Sequence, residues 1–195
     1  MEIAGNAALV VVDVQKGFEE EEFWGARNNP GADENIASLI DTWQATGRPV
    51  VFVRHDSSHP RSPLRLGHEG NDFKEYVEQR RGKGAGSELF VRKTVNSAFY
   101  GTPDLDAWFK AEGIDEFVVA GIQTNMCVET TARMGGNLGY RVLCALDATH
   151  TFDLEGPFGW RRSAEELAQA SAVSLHGGRF AEVLTTEAVV DAAGR

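Results

Sequence analysis

Apolar residues in this chain fall into short, nearly unbroken runs. They span Ala7–Val12, Pro49–Val53, Leu89–Val91, Phe117–Ala120, Val142–Leu146 and Ala181–Leu184. A strand with one wet face alternates apolar and polar side chains, whereas a strand covered on both faces does not. The runs therefore predict strands of a parallel sheet. Helical spacing fills the intervals. Asp33–Thr46 sets Ile36, Leu39, Ile40 and Trp43 on one face, and Gly47 follows as a stop. Thr102-Pro103 reads as a cap with proline in the first turn, ahead of Leu105, Trp108 and Phe109. Thr124–Leu138 predicts a weaker helix, because Gly135 and Gly136 lower its propensity. Ser163 and Glu166 have capping-box spacing before Leu167, Ala170 and Val173. Strand and helix alternate throughout, which predicts a doubly wound α/β fold. Two stretches are irregular: Asp56–Ser87, with a short helix around Asp72–Arg80, and Thr149–Arg162. Long loops of this kind are frequent sites of lids.

The 195 residues suit one domain covering 1–195, with enough apolar surface to fold without disulfides or a structural metal. The two cysteines, Cys127 and Cys144, are too few for a disulfide framework. The formal net charge is -10, with an acidic run at Glu19–Glu22. This disfavours nucleic acid and anionic membranes as partners, and does not by itself imply a cationic substrate. The run Ala7–Val12 is too short for a signal core or a membrane span, so a cytoplasmic protein is expected.

In open parallel sheets, ligands bind beyond the carboxyl ends of the strands. Those ends carry Asp13, Lys93 and, through Gly121-Ile-Gln-Thr-Asn-Met, Cys127. An acid, a base and a thiol thus converge on one edge. A free thiol has a pKa of about 8.5, which a neighbouring cation or a helix N-terminus lowers. Lys93 and the helix after the fourth strand are expected to favour the Cys127 thiolate. Asp13 is placed to take the thiol proton and return it to a leaving amine. Backbone N–H groups of the turn before Cys127 are candidates for an oxyanion hole.

Leu9-Val-Val-Val-Asp13-Val-Gln, Arg92-Lys93 with Asn96-Ser-Ala-Phe99, and Gly121-Ile-Gln-Thr-Asn-Met-Cys127-Val resemble the isochorismatase-like cysteine hydrolases. That superfamily includes nicotinamidases and N-carbamoyl amidohydrolases. The match continues through Ala132–Tyr140 and Asp147-Ala-Thr149, in order along nearly the whole chain. The resemblance implies a three-layer α/β/α fold with a mainly parallel six-stranded sheet. It implies Cys127 as nucleophile, Asp13 as general base and acid, and Lys93 as electrostatic partner. It also implies a cis peptide between Ile122 and Gln123, directing the Gln123 and Cys127 N–H groups at the substrate oxyanion. Members that cleave a vinyl ether do not need the cysteine, so Cys127 tilts the implied reaction toward C–N hydrolysis of an amide, ureide or carbamoyl group through a thioester. An ether hydrolase and a non-catalytic binding protein of the same fold are the alternatives. The resemblance further implies a homo-oligomer acting on a small molecule.

Phe18, His55, Phe99, Tyr100 and Thr124 follow strand ends and are expected at the substrate pocket. Trp24 and Trp160 are candidates for lids or subunit contacts. Metal-dependent nicotinamidases carry an Asp-x-His arrangement after the second strand. Here Asp56 is followed two residues on by Ser58, so no metal is expected despite His55 and His59. No cofactor is expected either, because the turn from Asp13 to Phe18 has one glycine where nucleotide-binding turns have several.

Overall fold

The computed structural model describes residues 2–194. Its strands are β1 (Ala8–Val12), β2 (Val50–His55), β3 (Glu88–Lys93), β4 (Glu116–Ile122), β5 (Arg141–His150), β6 (Leu154–Glu155), β7 (Arg161–Arg162) and β8 (Glu182–Leu184). Its helices are α1 (Glu21–Trp24), α2 (Ala32–Ala45), α3 (Glu75–Glu78), α4 (Leu105–Glu112), α5 (Glu129–Asn137), α6 (Ala164–Gly177) and α7 (Thr186–Ala193). Six strands form a parallel sheet in the order β3-β2-β1-β4-β5-β8. The chain winds outward from β1 in one direction and from β4 in the other. A crevice therefore opens where those windings part, at the carboxyl ends of β1 and β4.

The apolar runs are unbroken because both faces of the sheet are covered. On β1, Leu9 and Val11 join one core with Ile36, Leu39, Ile40 and Trp43 of α2 and Val189 of α7. Ala8, Val10 and Val12 join the opposite core with Leu105 and Phe109 of α4, Ala132 of α5 and Leu175 of α6. Successive strand residues point to opposite faces, so each layer takes alternate side chains. The result is the expected three-layer α/β/α fold. Trp43 also donates from Nε1 to the Ala7 carbonyl at 2.8 Å, tying α2 to the start of β1. No helix among the described residues is long and apolar enough to cross a membrane.

Local expectations meet mixed outcomes. The capping box at Ser163 and Glu166 forms as its spacing predicts. The cap of α4 is Asp104, whose side chain accepts from the Ala107 N–H at 3.0 Å. Thr102 is instead paired with Arg92 at the edge of β3, the Thr102–Pro103 bond is cis, and Pro103 precedes the cap. The predicted helix from Thr124 is divided into a π-helical turn over Thr124–Val128, followed by α5. The Thr149–Arg162 stretch is less irregular than expected. β5 runs to His150, and β6 and β7 form a small antiparallel hairpin whose tip exposes Phe158 and Trp160.

Candidate active site

Each reactive side chain is aimed by the way its strand ends. Asp13 follows β1 with a left-handed backbone, φ 51°, a region that aspartate tolerates better than most residues. Its N–H still bonds the Val53 carbonyl of β2 at 2.9 Å, so the turn stays attached to the sheet. His55 and Lys93 close β2 and β3 and are register partners. One residue before its end β4 carries Gly121, φ 124°, where a Cβ would collide with the Val12 carbonyl oxygen. Glycine is required at that close approach. The next peptide bond, Ile122–Gln123, is cis. The π-helical turn then closes with the Val128 N–H on the Gln123 carbonyl at 3.2 Å and carries Cys127. Single π turns within helices recur at functional sites.

The Lys93 ammonium stands at the centre of the cluster. Its Nζ lies 2.6 Å from Asp13 Oδ2, 3.3 Å from Cys127 Sγ and 3.2 Å from His55 Nδ1. The Lys93 and Asp13 side chains have no exposed surface, and Cys127 is 8% exposed. Asp13 Oδ1 is buried without a hydrogen-bond partner, so one carboxylate oxygen remains available as a proton acceptor. The Cys127 thiol donates a long bond to Asn96 Oδ1 at 3.8 Å.

Lys93 favours the Cys127 thiolate as expected, but it is not the dominant influence. Burial, reinforced by the negative charge of Asp13, pushes the thiol well above its ordinary range and outweighs the lysine. Burial opposes the charge on Lys93, but Asp13 and Cys127 prevail and raise its pKa. Burial and the Lys93 charge lower His55, which keeps its ring neutral at pH 7. The resting site is thus a thiol beside a carboxylate–ammonium pair.

The cluster opens into a cavity of about 450 Å³ lined by Asp13, Phe18, Phe23, Trp24, His55, Leu64, Asn96, Gln123, Met126, Cys127, Phe152, Asp153 and Leu154. Phe18 and His55 line it as expected. Phe99, Tyr100 and Thr124 do not. Phe99 packs against Phe109, Phe117 and Tyr140 in the core on the α4 side. Tyr100 is 70% exposed on the surface. Thr124 is buried, its hydroxyl bonded to that of Thr149 at 2.8 Å. Each follows a strand end, but the turn after that strand rotates it away. Trp24 forms part of the pocket wall. Phe23, Asn96, Met126, Phe152 and Asp153 were not anticipated. Asn96 and Met126 lie inside the motifs around Lys93 and Cys127, where proximity to a reactive residue was the available signal.

Two amides brace the edge of the site. Gln15 is fully buried and forms a side-chain rung on His55, accepting its N–H at 2.8 Å and donating to its carbonyl at 3.0 Å. Asn71 donates to the carbonyls of His55 and Leu64 and to Asp56 Oδ1. Asp56 is also bonded by Arg54 at 2.9 Å, so its carboxylate is engaged by a guanidinium and an amide. With Ser58 two positions on, these residues do not fit a metal-binding Asp-x-His site. Donor atoms of Asp13, His55 and Cys127 lie within 4.8 Å of one another, but Lys93 Nζ sits against all three and supplies the cation itself. Cys144, the second cysteine, is free and buried in β5, where burial pushes its thiol up to about 12.

A parallel sheet that brings an acid and a thiol to one cavity at its switch point, both against a buried lysine, defines a class, hydrolases of the α/β fold class. The isochorismatase domain family matches residues 7–188, and the chain belongs to that family of hydrolases. It is 37% identical over 184 residues to the uncharacterised isochorismatase family protein YrdC of Bacillus subtilis (strain 168), covering 94% of each chain. It is 31% identical over 180 residues to Nicotinamidase 3 of Arabidopsis thaliana, covering 88% of this chain and 81% of the relative. A crystal structure of an isochorismatase-family protein from Chromobacterium violaceum superposes with a TM-score of 0.90 at 38% identity, covering 100% of this chain and 97% of the other.

Proposed function

We propose that this protein hydrolyses a C–N bond of a small amide, ureide or carbamoyl compound, with Cys127 as the nucleophile. One observation carries the reading. The Lys93 ammonium touches both Asp13 and Cys127, and Asp13, Gln123 and Cys127 line the same cavity. In this mechanism Asp13 takes the Sγ proton as sulfur attacks the carbonyl carbon. Lys93 stays charged and faces the sulfur as its negative charge develops. The N–H groups of Gln123 and Cys127 receive the carbonyl oxygen as it becomes an oxyanion. The C–N bond then breaks, and Asp13 returns its proton to the departing ammonia or amine. A thioester remains on Cys127. Water attacks it, Asp13 accepts the water proton, and the C–S bond breaks. The acid product leaves, and the proton returns to sulfur.

The resting thiol suits this cycle, because the proton that Asp13 removes is the one the leaving nitrogen needs. The nicotinamidase relative supports amide cleavage as the general kind of reaction. Ammonia release from a panel of primary amides, ureides and carbamoyl compounds is expected for the wild type and absent for Cys127→Ala. Rapid quench with intact-mass analysis is expected to find an acyl adduct on Cys127. Undiminished turnover in the alanine variant would refute the mechanism.

A further inference from the structure

Resting on the hydrolytic reading of Cys127, we infer that the substrate is a small amide carrying a positive charge, and that Asp153 and the aromatic wall select it. Three rings form one side of the cavity. Trp24 stacks on Phe152 with centroids 5.4 Å apart at 22° and lies 4.9 Å from Phe18. Phe18 lies 6.1 Å from Phe152 at 15°. Phe23 adds an edge contact to Trp24 and is itself 46% exposed. Trp24 is pinned by its Nε1 hydrogen bond to the Gly17 carbonyl at 2.8 Å. Aromatic faces attract cations through their quadrupole, most strongly where water is partly excluded.

The charged groups in the lining point the same way. They are Asp13, His55 and Asp153. Asp13 is neutralised by Lys93, and His55 is held neutral by burial and by the lysine. Asp153 makes no ion pair among the described residues. Its Oδ1 accepts the Ala164 N–H at 2.7 Å, the first residue of α6, which fixes the carboxylate in place. The lining contains no arginine or lysine. The cations behind the aromatic wall are spent elsewhere: Arg27 and Lys74 both bind Asp33, at 2.9 and 3.0 Å. A carboxylate-bearing amide would meet repulsion here with no cation in the lining to receive it. An ammonium would meet the Asp153 carboxylate beside an aromatic wall.

The test uses three amides of one shape: 3-(aminomethyl)benzamide, 3-methylbenzamide and 3-carbamoylbenzoate. Ammonia release gives kcat/KM on the wild type, and calorimetry on Cys127→Ser gives binding without turnover. The cationic amide is expected to exceed the anionic one by about 100-fold in both measurements, with the neutral amide between them. Asp153→Asn keeps an oxygen for the Ala164 N–H and removes the charge. It is expected to shrink the cation-over-neutral ratio about tenfold, and Asp153→Lys to reverse the cation–anion order. Equal handling of the cationic and anionic amides overturns the inference. So does an Asp153→Asn variant with an unchanged ratio, or failure of all three amides to bind. Ordered binding to Cys127→Ser without hydrolysis by the wild type would uphold the charge selection and refute the hydrolytic reading. Hydrolysis without charge order would do the reverse.

Discussion

Lys93 meets two demands with one ammonium: it neutralises Asp13 where there is no water, and it faces the thiol. Its folded pKa is raised above the ordinary 10.5, so its stabilising contribution is complete below that value. That contribution is lost only as pH rises through the higher folded value. Lys93→Met leaves a buried carboxylate without a partner. The expected cost is about 3–5 kcal/mol in urea unfolding, together with loss of ammonia release. Adding Asp13→Asn is expected to recover most of the stability and none of the activity. A double variant as unstable as the single would remove the pair as the source. Cys127 supports a second prediction. Because burial and Asp13 raise its thiol above the ordinary range, alkylation by iodoacetamide should keep accelerating with pH beyond ~9. A plateau near neutral pH would reveal a preformed thiolate and contradict the resting state described above.

At the scale of the element, β4 is the exacting one. Its pairing with β5 shifts register between Val119 and Gly121, just before the turn to Cys127. Gly121→Ala would force a Cβ onto the Val12 carbonyl at a backbone angle that L residues rarely adopt. A loss of roughly 3 kcal/mol or more is expected by thermal or urea unfolding, with loss of activity beyond what the residual folded fraction explains. Near-wild-type stability would show that the two strands can move apart. The strands were legible because burial on both faces writes continuous apolar runs into the chain. The Asp13, Lys93 and Cys127 cluster was legible because parallel topology gathers strand ends. The pocket walls were not. Phe152 and Asp153 come from the stretch after β5, and Phe23 from a four-residue helix, where no periodicity reports direction. Phe99 misled for the same reason: its distance from Lys93 fixes proximity along the chain but not the face of the sheet. α7 went unpredicted, although Thr185 caps it and Val189 and Ala193 mark its buried side.

Across the whole molecule, acid sensitivity follows from a histidine the chemistry does not use. His150 ends β5 fully buried, with neither ring nitrogen hydrogen-bonded. Burial, with Arg27 and Lys74 nearby, lowers its pKa from 6.5 to about 3, against a smaller opposing effect of Asp33. The unfolded chain therefore binds a proton below pH 6.5 that the folded chain refuses, and stability falls on acidification through that range. At about 1.4 kcal/mol per pH unit, roughly 2 kcal/mol should be lost between pH 6.5 and pH 5. His150→Leu is expected to flatten that part of the profile in urea midpoints measured at both values. An unchanged slope would assign the sensitivity to other groups. The clasp of Asp13 and Lys93, which joins the ends of β1 and β3 across β2, has a consequence for descent. A lineage that abandons hydrolysis can discard the sulfur in one step and keep its fold. It cannot discard either half of the clasp alone without a heavy loss of stability. Descendants that have lost the proposed activity should therefore keep the acid and the lysine and lack the cysteine, a fossil pattern by which they can be told from working copies.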